Sequence, residues 1–274
     1  MTGRDTAMRD VAGLHYLGQY ERELPVSLAR MMENAYDWAH LPHVHPSSFA
    51  DIALIDEGDW GWHCRTVLPP AAGGGTQELV LRVDRVRSFW ATTVLAGAGA
   101  GVQIHTQARG IAKRRIAIDV RFYVPQPPQD TAQGKAILAY LQTQYAGLYD
   151  EDAALMNARQ TALDAKAAPV RDLPSRRDLG AVADLDAGGR YSVDLAQGTF
   201  VVRRHGGAWI AHAAVCPHML GPLDDAPIAD GTVVCPWHGY AFAIADGAEV
   251  RGRCGALAEP PPVEVVDGHL IIGV

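Results

Sequence analysis

A chain of 274 residues, 48% of them apolar, can fill two modest domains and form a core, which argues against wholesale disorder. The net charge is −7 and no dense basic run occurs, which argues against nucleic-acid binding; Lys113-Arg114-Arg115 is short and sits beside a strand pattern. No apolar stretch follows Met1, and no run approaches the roughly 18 apolar residues of a membrane helix, so a cytoplasmic protein without membrane association is expected.

Along the chain, the spacing of Val26, Ala29, Met32 and Tyr36 predicts a helix from Leu24 to His40, with Pro25 in its first turn and a break or tight turn at Pro42. From Trp60 to Pro125 the pattern is β. In "RRIAIDVRFYV" Ile116, Ile118, Val120 and Phe122 alternate with Arg115, Ala117, Asp119, Arg121 and Tyr123, the period of a strand with one buried face. That face is a candidate either for the lining of an apolar pocket or for ordinary sheet-to-helix core. "AAGGGT" and "GAGAG" read as hairpin turns. Gly97, Gly99 and Gly101 do not form a dinucleotide loop, because a strand pattern follows them and the third spacing is wrong.

A helical region from Thr131 to Lys166 follows, and then "KAAPVRDLPSRRD", the best candidate for a boundary. Short strands and glycine turns continue to Val274. The expected layout is one domain over residues 1–168 and a small all-β domain over 169–274.

The stretch "VCPHMLGPLDDAPIADGTVVCPWHGYAF" carries Cys216-x-His218 and Cys235-x-x-His238, separated by sixteen residues. In a reducing compartment such cysteines read as metal ligands, with Cys64 and Cys254 left as free buried thiols. Thiolate and imidazole together suit one tetrahedral zinc or a two-iron, two-sulfide cluster. Zinc sites usually pair Cys with Cys and His with His along the chain, whereas here each loop donates one of each, which favours the cluster. Pro217 and Pro236 stiffen the loops, and Gly221 and Gly239 permit close backbone approach.

"CPHMLGPL" and "CPWHGYAF" resemble the two cluster-binding boxes of the Rieske family. The resemblance implies a [2Fe-2S] cluster held by Cys216, His218, Cys235 and His238. Met219 and Trp237 fall where respiratory Rieske proteins carry an extra disulfide, so the domain resembles the ferredoxin and oxygenase kind.

Near the N-terminus, "ENAYDWAHLPHVHPSSF" places Asn34, Asp37 and His40 three apart, able to share a helix face, with His45 beyond Pro42. Two histidines and a carboxylate form the facial triad of non-haem iron enzymes. The pattern Asn-x-x-Asp-x-x-His-x-x-x-x-His resembles the iron-binding segment of Rieske non-haem iron oxygenases. That resemblance implies mononuclear Fe(II) on His40 and His45. It implies that Asp37 bridges to a Rieske histidine, with Asn34 beside it in the catalytic segment, and gives His43 an outer role. It also implies a downstream carboxylate from a late helix, and "LYDEDAALMNARQ" offers Asp152, with Asp150 and Glu151 as competitors.

The implied fold is α+β: a helix-grip, START-like catalytic domain with an antiparallel sheet, then the Rieske domain. This order is the reverse of most of the family. The implied activity is a mono- or dioxygenase that hydroxylates, demethylates or cyclises an apolar organic substrate with O2. The implied partners are a separate NAD(P)H-dependent reductase, a ferredoxin, and further copies of this chain in a head-to-tail homotrimer. Two other readings stay open: a Rieske ferredoxin-like electron carrier with a non-catalytic ligand-binding domain, and a ligand sensor with the cluster as a redox switch.

Overall fold

The computed structural model describes residues 10–168 and 172–273. The chain divides into two compact units, one ending at Gln160 and one beginning at Thr161. The expected boundary between 168 and 169 abuts residues 169–171, which lie outside the described residues together with the middle of the proposed linker.

The first unit opens with strand β1 (His15–Leu24), helix α1 (Leu28–Tyr36) and helix α2 (Leu41–Val44). Strands β2 (Asp51–Gly58), β3 (Gly61–Val67), β4 (Thr76–Asp84), β5 (Phe89–Gly97), β6 (Gln103–Ala112) and β7 (Arg115–Val124) then form a meander. Helix α3 (Thr131–Ala167) completes the unit. The sheet order is β1-β7-β6-β5-β4-β3-β2, antiparallel throughout, so β1 returns to pair with β7. A seven-stranded antiparallel sheet with one long C-terminal helix is the helix-grip arrangement.

The meander follows from alternation and from glycine turns. Gly97 ends β5 at φ +87°, where a Cβ would run into the Thr76 carbonyl. Ile116, Ile118, Val120 and Phe122 are at most 2% exposed and belong to the main core with Leu24, Met31 and Met156. They are core, and the apolar cavities of this domain described below are lined by other residues, so of the two readings of that face the core one holds. β7 is where the sheet packs tightly, edge-on contact of Phe122 with Tyr145 of α3 included.

The helix expected over 24–40 is shorter at both ends. Leu24 closes β1, Ser27 caps α1 by accepting from the Arg30 N–H, and α1 stops at Tyr36. Asp37 is the C-cap, and His40 is the N-cap of α2. Asn34, Asp37 and His40 therefore do not share a helix face. Pro42 does not break the chain but sits in the first turn of α2, where its missing N–H costs nothing. β1 and β2 lie outside the expected β region. No helix among the described residues is long and apolar enough to cross a membrane.

The second unit is all β beyond the end of α3. Its sheets are β11 (Ala208–Ala213), β10 (Gly198–His205) and β9 (Arg190–Leu195); β12 (Ile228–Ala229), β13 (Thr232–Val234) and β14 (Ala241–Ala243); and β15 (Val263–Val266), β16 (His269–Gly273) and β8 (Arg176–Ala181). Val193, Leu195, Phe200, Val202, Leu270 and Ile272 form its core.

Candidate metal centres

His40 and His45 flank α2, and Asp152 projects from α3 beneath them. One ligand atom from each lies within 4.8 Å of the other two, and all three side chains are buried. His45 Nε2 is 3.0 Å and His40 Nε2 3.3 Å from the same oxygen, Asp152 Oδ1. Burial works against charge on His40, but the carboxylates of Asp152 and Asp37 outweigh it and push its pKa up to about 10. Burial would likewise raise Asp152, and the two histidines hold it instead well below the usual carboxylate range.

The three neighbouring acids sort by helix geometry, since successive residues point about 100° apart. Asp150 turns outward to Arg22. Glu151 meets His45 Nδ1 at 2.7 Å, and Asp152 points inward. Asp37 Oδ2 lies 3.6 Å from His40 Nδ1. Both ring nitrogens of His40 are buried without a hydrogen bond of normal geometry, and so is Asn34 Oδ1. Buried polar atoms left in this state are rare, and a ligand for the group is one way to satisfy them. His43 is exposed on α2.

The triad lines a cavity of about 130 Å³ whose other walls include Met31, Trp62, Leu81 and Trp90. These walls come from α1 and the β3–β5 strands. Asn34 and Asp37 also border it.

In the second unit, two six-residue loops have the same backbone. The Cys216 N–H donates to the Gly221 carbonyl, and the Cys235 N–H donates to that of Tyr240. Inside each loop the fourth residue after the cysteine donates back to it: Leu220 to Cys216, Gly239 to Cys235. Both of these residues are left-handed, Leu220 at φ +60° and Gly239 at φ +62°. The loops bring like ligands together. The His218 and His238 rings meet edge to face at 4.7 Å. The Cys216 and Cys235 sulfurs share one hydrogen bond, which with help from His238 and against burial favours a single thiolate on the pair.

Residues 175–261 match the family model of the Rieske [2Fe-2S] domain. The C-terminal unit is a Rieske domain. A stretch of 66 residues is 36% identical to apoptosis-inducing factor 3 of Mus musculus, covering 24% of this chain and 11% of that protein's length. A stretch of 97 residues is 26% identical to the ferredoxin component of an alkene monooxygenase system of Xanthobacter autotrophicus, covering 35% of this chain and 79% of the relative. A START superfamily protein from Mycobacterium smegmatis aligns with 52% of this chain and 99% of its own at 12% identity and a TM-score of 0.44.

The Rieske loops fit their cluster. Cys216, Cys235 and His238 are at most 2% exposed, and sulfur and nitrogen donors are already segregated. At Gly221 a Cβ would lie 2.8 Å from Cys235 Sγ and 3.2 Å from the Trp237 ring, so the backbone there must stay bare. All four cysteines are free thiols; Cys64 is fully buried, whereas Cys254 is only half-buried, against expectation.

A brace behind the Rieske loops has no signature in the sequence spacing. The Glu249 side chain is fully enclosed and accepts from the N–H groups of Arg251 and Arg253 and from the Arg253 guanidinium at 2.8 Å. Arg253 also donates to the Gly239 carbonyl and lies 3.9 Å over the Tyr240 ring. Tyr240 in turn packs 4.5 Å from the His218 ring. Only the proximity of these charges to the second box along the chain hinted at such a role.

Proposed function

We propose that the chain is a Rieske-type oxygenase acting on an apolar organic substrate. Cys216, His218, Cys235 and His238 hold the [2Fe-2S] cluster; His40, His45 and Asp152 hold a mononuclear Fe(II). The observation that carries this reading is the convergence of two imidazoles and one carboxylate, all buried, on the wall of an apolar cavity in a chain that has a Rieske domain. When bound, the two centres supply one-electron transfer and reductive activation of O2.

The remaining work falls to the chain. Glu151 accepts from His45 Nδ1, which fixes the ring and turns Nε2 inward. Asp37 faces His40 Nδ1 from the other side at 3.6 Å, an electrostatic partner beyond hydrogen-bond distance, and is the acidic contact toward a Rieske histidine. Asn34 borders the same space from α1. The aromatic and aliphatic walls exclude water and hold the substrate by its apolar surface. Electrons come from a separate NAD(P)H-dependent reductase, directly or through a ferredoxin, and a head-to-tail homotrimer lets one copy's Rieske domain serve the neighbour's iron.

The ferredoxin among the relatives of the Rieske domain favours a second reading, an electron carrier with a ligand-binding first domain. Iron and acid-labile sulfide per chain, measured after anaerobic purification, separate the two. Three iron to two sulfide supports the oxygenase; two to two, persisting after Fe(II) is added back, supports the carrier. His40→Ala and His45→Ala each abolish substrate-dependent O2 uptake with the cluster spectrum intact; uptake surviving both changes refutes the oxygenase.

A further inference from the structure

The cavity beside the triad is the inner of two chambers. The outer one is about 350 Å³ and is walled by Leu68, Val94, Val102, Tyr140 and Leu141. Phe49, Leu79, Thr92, Tyr145 and Leu148 line both, so they form a shared waist. A closed apolar cavity of about 150 Å³ takes one benzene. By that measure the inner chamber, about 130 Å³, takes one ring-sized end of a molecule. The outer chamber takes roughly two ring-sized units more.

The waist is apolar except for two hydroxyls. Tyr145 packs its ring against Phe122 at 5.2 Å and Tyr149 at 6.0 Å. Its hydroxyl has no hydrogen-bond partner among the described residues. Burial pushes its pKa up, so it stays a neutral donor. Tyr145 borders both chambers, so a ligand lying across them can supply the acceptor that the protein does not. Acceptors that fit are a carbonyl or ether oxygen, because the donor stands among hydrocarbon walls that would not solvate a charged one.

We propose that the substrate is an extended, largely apolar molecule of about three ring-sized units with a neutral oxygen acceptor near its middle. Its reacting end enters the inner chamber, its remainder fills the outer one, and Tyr145 donates to the oxygen at the waist. The position of the reacting end rests on the oxygenase reading; the size limit and the hydrogen bond do not. Leu141 and Val102 set the length, and Tyr145 selects the oxygen.

The test is equilibrium dialysis of the full-length protein against two matched pairs. Anthrone and 9,10-dihydroanthracene have three fused rings and differ by one ketone; acetophenone and ethylbenzene have one ring and differ in the same way. The three-ring pair binds at least about tenfold tighter than the one-ring pair. Anthrone binds about fivefold tighter than dihydroanthracene. Tyr145→Phe removes that difference and leaves dihydroanthracene unchanged, which also shows the variant folded. Leu141→Trp, or Val102→Phe from the facing wall, weakens the three-ring pair and spares the one-ring pair.

One-ring probes binding as tightly as three-ring ones overturns the proposal, as does no binding of either pair. So does Tyr145→Phe weakening both three-ring probes equally. Iron content and O2 uptake on the same samples judge the oxygenase separately, so binding as described without a third iron refutes that reading alone.

Discussion

His45 Nε2 stands 3.0 Å from Asp152 Oδ1, across 107 residues of chain. The contact joins the segment between β1 and β2 to the helix after the sheet. Asp152→Ala removes the one carboxylate oxygen that faces both histidines. Iron per chain is expected to fall from about three to about two while acid-labile sulfide stays near two. Metal and sulfide analysis of the purified variant reads both numbers.

Glu151 and Asp150 flank Asp152 but do different work. Glu151→Gln weakens the acceptor on His45 Nδ1, so affinity for Fe(II) at the triad is expected to drop about 10- to 100-fold. Asp150→Asn, which touches only Arg22 at the surface, leaves that affinity unchanged. Competition between Fe(II) and a chromogenic chelator measures both; equal losses would assign the effect to helix charge rather than to the contact.

Gly221→Ala places a methyl 2.8 Å from Cys235 Sγ, closer than real side-chain carbons stand. The backbone of the first box must shift, and the expected result is loss of visible cluster absorbance and of labile sulfide. Thermal melting of the helix-grip domain, whose tryptophans are Trp38, Trp60, Trp62 and Trp90, stays unchanged when followed by circular dichroism of its long helix.

Acid should loosen the second box through Glu249. Burial opposes its charge, yet the N–H groups of Arg253 and Arg251 and the Arg253 guanidinium hold its pKa below the ordinary 4.5. A carboxylate with a depressed folded pKa stabilises fully above the unfolded value, and the contribution is lost as pH falls through the folded one. The Rieske domain's melting temperature is therefore flat above about 4.5 and falls below it. Glu249→Gln lowers stability at pH 7 by on the order of 2 kcal/mol and removes this part of the acid dependence.

The two boxes were legible because each is short and local: ligand types and spacing survive without knowledge of the fold. His40 and His45 were legible for the same reason, although the helix drawn up to His40 was too long. Ser27 and the helical angles ending at Tyr36 decide its limits, and periodicity alone does not see a cap. Strands β1 and β2 went unread because both are edges. Nearly all of β2 is exposed, so it shows no alternation of burial. The apolar face of β7 was legible as a face, but the choice between pocket and core was not, because it depends on where α3 lies down. The Glu249–Arg253–Tyr240 brace depends on loop folding and left no pattern to read.

The left-handed residue in each Rieske loop has an evolutionary and engineering consequence. Loop two solves that position with Gly239, and loop one solves it with Leu220, whose side chain makes the conformation uphill by about 1 kcal/mol. The two halves of one pocket are therefore unequally sprung. Leu220→Gly would remove that strain from loop one, whereas any side chain put in place of Gly239 would add it to loop two.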